Sequence, residues 1–96
     1  MVYEWDDEKR QTNIRKHGID FIGVESAFDD VRWTIMDDRF DYGEIRSVTF
    51  AFLESRVVTI VHADTETVRR IISIRKATPN EQRKFYKEIA DRLGQG

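Results

Sequence analysis

Alternation with a period of two dominates the middle of the chain. Between residues 45 and 53, Val48, Phe50 and Phe52 fall on one parity and Ser47, Thr49 and Ala51 on the other. That pattern predicts a strand with one apolar face. Residues 57–63 are β-branched and apolar on both parities, which predicts a strand at the centre of a sheet. Residues 31–36 carry Trp33 and Ile35 on one side and Arg32 and Thr34 on the other. In residues 68–74, Val68, Arg70, Ile72 and Ile74 alternate with Arg69, Ile71 and Ser73, and Arg75 follows on the second parity. These two segments predict two further strands. A tight loop at 54–56, a turn at 64–67 and a polar connection over 37–43 join the four into an antiparallel meander. Residues 2–5 suit a short additional strand.

The period changes at both ends. Asp6 is a good N-cap, Asp7 and Glu8 occupy a first helical turn, and Lys16, His17 and Gly18 close it, so a helix is predicted over 7–17. A second helix is predicted from an Asp20 cap to about Phe28, because Phe21, Val24, Ala27 and Phe28 form an apolar stripe. The last helix has the strongest signals. Thr78 caps it, Pro79 takes its first position and Glu81 completes a capping box. Phe85, Ile89 and Leu93 form its buried stripe, and Gly94 ends it. The prediction is an α+β domain with two N-terminal helices, a four-stranded antiparallel meander and a C-terminal helix, with the helices on one face of the sheet.

Composition limits the alternatives. Ninety-six residues make one domain, residues 1–96, with room for one core. With 40% hydrophobic and 35% charged residues, the chain is globular with a heavily charged surface. It contains no cysteine, which excludes disulfides and thiolate metal sites and fits a reducing cytoplasm. The first residues lack the pattern of a signal peptide, and no apolar run approaches the ~20 residues of a membrane span. Net charge is −2, but unevenly spread. Residues 1–48 hold 7 Lys/Arg and 12 Asp/Glu, whereas residues 49–96 hold 9 and 6. A basic face on an acidic body follows, and the local field steers an anion more than the pI does.

That face is expected where the strand ending at Arg75 and Lys76 meets the helix carrying Arg83, Lys84 and Lys87. Arg69, Ser73 and Arg75 share a parity, and with Ser47 and Thr49 they would line an open polar groove. Guanidinium forks match phosphate bidentately and keep their charge near neutral pH. Strand arginines can equally pair with the many carboxylates of the first half. His17 either stabilises a helix end or transfers protons. His62 shares the parity of Val58 and Ile60, which favours a satisfied core histidine. Tyr86, beside the buried Phe85, either packs or reaches the basic corner. Asp37, Asp38, Asp41 and Glu44 suit a turn as well as a divalent ion, and no metal or cofactor site is expected. Phosphate loops and nucleophile elbows are absent.

Tyr3-Glu4-Trp5-Asp6, with Lys9, Asn13 and Lys16-His17-Gly18-Ile19, resembles the opening of BrnT-type toxins of bacterial toxin–antitoxin modules. Glu44-Ile45-Arg46 resembles that family's E-x-R element. The run from Arg70 to Thr78, with Glu81 and Tyr86, resembles its C-terminal signature. The resemblance implies a RelE-like fold and an endoribonuclease that inhibits translation through metal-independent transesterification. It implies a BrnA-type antitoxin partner in a hetero-oligomer, with promoter DNA bound only through the antitoxin. By position it gives His17, Arg75, Lys76 and Tyr86 as catalytic candidates. Lys16, Glu44 and Arg46 join them by position as RNA-binding candidates, and the basic face read from the residues adds Arg69, Ser73 and Arg83. The competing expectation is a module that grips RNA or protein without cleaving. Phe50-Ala51-Phe52 is bulkier than the family pattern, and Ile74 stands where a small residue is common.

Overall fold

The computed structural model describes residues 1–37 and 43–94. The elements are β1 (Val2–Glu4), α1 (Asp7–His17), α2 (Glu25–Phe28), β2 (Arg32–Asp37), β3 (Arg46–Leu53), β4 (Arg56–Asp64), β5 (Val68–Lys76) and α3 (Pro79–Gly94). The expected turn over 37–43, including Asp38 and Asp41 of its acidic cluster, lies mostly outside the described residues.

The sheet has five strands in the order β1-β5-β4-β3-β2, and the strongly apolar β4 is central as its composition predicts. β2 to β5 form the antiparallel meander. The expectation of a purely antiparallel four-stranded sheet needs correcting, because β1 adds to the outer side of β5 in parallel, Val2 opposite Val68. Glu54 and Ser55 both have positive φ (52° and 67°), so the β3–β4 hairpin turns through a two-residue loop whose twist matches the strands.

Helices pack on both faces of the sheet, α3 covering only part of its own, which corrects the expectation of helices on one side. One core lies under α2 and the segment before it, where Phe21, Val24 and Phe28 meet Ala51, Ile60 and Ile71. A smaller core lies under α3, where Phe85 meets Phe50 and Val57, with Phe52 and Ile89 packed against it. Two faces need two apolar parities, which explains why β4 is apolar throughout.

The helices also depart from expectation. Phe21, Val24, Ala27 and Phe28 are buried as predicted. However, Gly23 has φ of 93°, which an α-helix cannot accommodate, so only a single turn, α2, forms after it. The stripe of α3 ends early: Phe85 is buried and Ile89 partly so, but Leu93 is 77% exposed because the helix outruns the sheet.

α1 has almost no apolar face, and its buried residue is Asn13. Asp6 caps it by accepting from the Glu8 and Lys9 amides at 2.8 and 3.3 Å. Beyond Glu4, no strand among the described residues lies on the outer side of β5, and there the Asn13 side chain accepts from Ile74 N–H at 3.0 Å and donates to Ile74 C=O at 2.8 Å. It also donates to Ile19 C=O at 2.9 Å. One amide thus occupies the place of a missing strand and anchors a polar helix along the edge.

A candidate phosphate-binding groove on the open sheet face

The geometry of the site depends on an irregularity in β5. Ser73 pairs with Val61, but Ile71 pairs with the next residue, His62, so Ile72 is an extra residue in the ladder. This β-bulge reverses the parity of everything before it. Arg75 and Ser73 face α3 with Thr59 and Val61, while Arg69 faces the opposite core beside Asp64 and Arg70 turns to the α3 face. Arg69, Ser73 and Arg75 therefore do not share a face, and Ser47 and Thr49 lie on the side away from Ser73 and Arg75.

Arg69 is absorbed into a polar chain on the α2 face. Its guanidinium grips Asp64 at 3.0–3.2 Å, donates to Tyr3 Oη at 3.3 Å and lies 4.0 Å over the Phe28 ring. Asp64 accepts from His62 Nδ1 at 2.7 Å, and His62 Nε2 meets Thr49 Oγ1 at 2.7 Å. Thr49 in turn meets Thr34 Oγ1 at 2.7 Å. Burial pushes the His62 pKa down, against the pull of Asp64 upward. His62 is the satisfied core histidine that its parity favours.

On the α3 face, side chains fall into rows across the strands. Arg75, Thr59, Phe50 and Trp33 form one row, and Ser73, Val61, Val48 and Ile35 the next. By alternation Arg46 and Arg70 belong to the row beyond, at the sheet end. α3 covers Phe52, Val57 and part of Phe50, then leaves Val48, Val61 and Trp33 half-exposed and Ile35 41% exposed. The result is a groove of about 580 Å³ with an apolar floor, rimmed by Arg75, Glu81, Lys84 and Asp37.

The arginines at this face are held by carboxylates. Glu81 receives both ends of the Arg75 fork, at 2.7 and 2.9 Å, while its Oε1 also accepts the Thr78 amide at 2.8 Å. The Arg75 hydrogen bond is the main reason that the Glu81 pKa drops to about 2. The capping box predicted for α3 thus also aims Arg75. Glu44 binds Arg70 and stands 3.6 Å from Arg46, and its pKa is lowered chiefly by Arg70. Pairing with carboxylates, the alternative stated from the sequence for the strand arginines, is what Arg70 and Arg75 adopt, although the partner of Arg75 comes from the start of α3 and not from the first half of the chain.

Other candidates lie elsewhere. Lys16 and His17 are exposed at the end of α1, and with Lys9, Thr12, Ile72 and Ser73 they border a second hollow of about 360 Å³ around the β5 edge. Ser73 is therefore shared between the edge hollow and the groove face. Lys76 pairs with Val58 and points to the other face from Arg75, because neighbouring strand residues alternate. Tyr86 is 51% exposed and packs on Phe52 and Phe85, with ring centroids 6.1 and 5.8 Å away. Helical spacing sets it on the flank of α3 opposite Glu81 and Lys84, and it turns Arg83 outward. Arg70 is the arginine of this face that periodicity misses, since strict alternation gives it the core parity of Ile74; it borders a separate hollow with Glu44 at the sheet end. Among the described residues, no three His, Asp or Glu side chains gather to hold a metal ion. No helix among them is long and apolar enough to cross a membrane.

The chain is thus a small α+β domain whose sheet carries an open, apolar-floored groove with an arginine fork on its rim. A family model described as the ribonuclease toxin, BrnT, of type II toxin–antitoxin systems matches residues 5–81. The chain belongs to the BrnT family of ribonuclease toxins, whose members act on RNA and are countered by an antitoxin. Among curated protein sequences none matches the chain significantly.

Proposed function

We propose that this chain is the toxin of a type II toxin–antitoxin pair and cleaves RNA without a metal ion. The observation that carries the reading is the apolar-floored groove that α3 leaves open, with the Arg75 fork and Lys84 on its rim and Arg46 and Arg70 on the same sheet face at its far end. A phosphodiester competes with Glu81 for the Arg75 fork, which the carboxylate keeps extended and oriented in its absence. The 2′-oxygen then attacks the adjacent phosphorus, a bond forms between them, and the bond to the 5′-oxygen breaks. The products are a 2′,3′-cyclic phosphate and a 5′-hydroxyl. The Arg75 guanidinium stabilises charge developing on the phosphoryl oxygens. His17, exposed across the β5 edge with Lys16 beside it, takes the proton of the 2′-hydroxyl, and the leaving 5′-oxygen receives one from water. Loss of mRNA would inhibit translation in the cytoplasm. A BrnA-type antitoxin would silence the toxin in a hetero-oligomer and bring the complex to promoter DNA.

Growth arrest on expression without an antitoxin, abolished by Arg75→Ala in a variant with wild-type circular dichroism, is the expected result. RNA cleavage should persist in EDTA. Arrest by a folded Arg75→Ala variant would remove the groove from the mechanism. The ion pairs at Arg46, Arg70 and Arg75 favour a second reading, a binding module whose arginines serve structure. Purified chain that binds RNA and leaves it intact would establish that reading instead.

A further inference from the structure

We propose that the groove wall formed by Trp33 against Phe50 is a nucleobase subsite, which takes one unpaired RNA base by stacking while the neighbouring phosphate lies on Arg75. This rests on the ribonuclease reading and adds to it the group that positions the strand. Trp33 and Phe50 are 5.2 Å apart between ring centroids and tilted by 31°, so Phe50 backs the indole and fixes its orientation. Trp33 lines the groove and α3 leaves it half-exposed. Beside it the floor continues in Ile35 and Val48, apolar surface that water meets in the free chain.

Register sets the spacing. Arg75, Thr59, Phe50 and Trp33 lie in one row on four adjacent strands, so the α-carbons of Arg75 and Trp33 are roughly 14 Å apart at ~4.8 Å per strand. An extended arginine spans about half of that distance, and the remainder matches the reach from a phosphate to its base. The occupant must carry negative charge at one end and a flat apolar face at the other. A single-stranded nucleotide does so, and aromatic stacking is the usual way that proteins hold unpaired bases. The groove volume of about 580 Å³ lies in the range of a site for one small ligand. A stable protein partner needs ~800 Å² on each side and would have to extend well beyond it.

The test uses the full chain with Trp5→Phe, which leaves Trp33 as the sole indole, titrated with a 2′-O-methyl hexaribonucleotide that cannot undergo 2′-oxygen attack. Saturable quenching of Trp33 is expected, and an abasic backbone of the same length should give none. Trp33→Leu should weaken hexamer binding about tenfold, with Trp33→Phe restoring most of it and abasic binding unmoved by either. Thermal melts followed by circular dichroism establish that each variant is folded. Equal binding by the Leu and Phe variants overturns the subsite, as does quenching by the abasic backbone. So does a Trp33 variant that loses antitoxin binding while RNA binding is unchanged. Arg75→Ala separates the two readings: weakening of hexamer and abasic backbone alike, with Trp33 silent, sinks the subsite and keeps the phosphate groove. Aromatic-dependent binding without cleavage sinks the nuclease and keeps the subsite.

Discussion

Asn13 closes three backbone groups with one side chain, at 2.8–3.0 Å. Asn13→Ala leaves the Ile74 amide buried without a partner and frees α1 from the β5 edge. The expected cost is about 3 kcal/mol of unfolding free energy by urea denaturation, since each buried orphan group costs ~1–3 kcal/mol. Glu81 joins the α3 cap to Arg75, and its pKa falls from 4.5 to about 2. The folded value is the depressed one, so the unfolded chain takes up the proton first as pH falls. The stabilisation is therefore complete above pH 4.5 and is lost progressively towards pH 2. Glu81→Gln should lower the urea midpoint at pH 7 and shrink the difference between midpoints at pH 7 and pH 3. An unchanged difference would mean that the Arg75 pair contributes nothing to acid stability.

β5 governs the chemistry of the molecule through one inserted residue. Without the bulge at Ile72, Arg70 would point into the α2 core and Ile71 into the groove. Deletion of Ile72, by contrast, should keep Ile71, Arg70 and Arg69 on their present faces and retain a cooperative thermal transition, because it removes only the unpaired residue of the ladder. Loss of the sharp transition in the deletion variant would show that the faces of Arg69 and Arg70 are set by something other than this bulge. The bulge also explains why Arg69, which shares a parity with Arg75, ends in a structural chain with Asp64 and Tyr3. α2 shows a similar limit of pattern: the apolar spacing names the buried residues correctly, and the backbone of Gly23 restricts the helix to Glu25–Phe28.

At the scale of the whole molecule, two cores flank one sheet, and the smaller one stops short, which leaves the groove. The cores follow from sequence because alternation on β3 and double apolarity on β4 state which side chains leave water. The caps of α1 and α3, the central place of β4 and the burial of His62 are legible for the same local reasons. So is the BrnT family, whose motif residues occur along the chain in order. Three things depended on the folded chain. The parallel pairing of β1 joins residues 66 positions apart, Val2 and Val68, and no local period encodes it. The bulge is a mismatch between two strands and has no signature in either alone. The partnering of Arg75 with Glu81, and of Arg70 with Glu44, arises when helix start and strand ends meet. Periodicity and capping act over a few residues, so the sequence by itself determined the elements and their apolar faces. Register and ion pairing act between distant segments, so only the tertiary structure decided which arginines reach the groove.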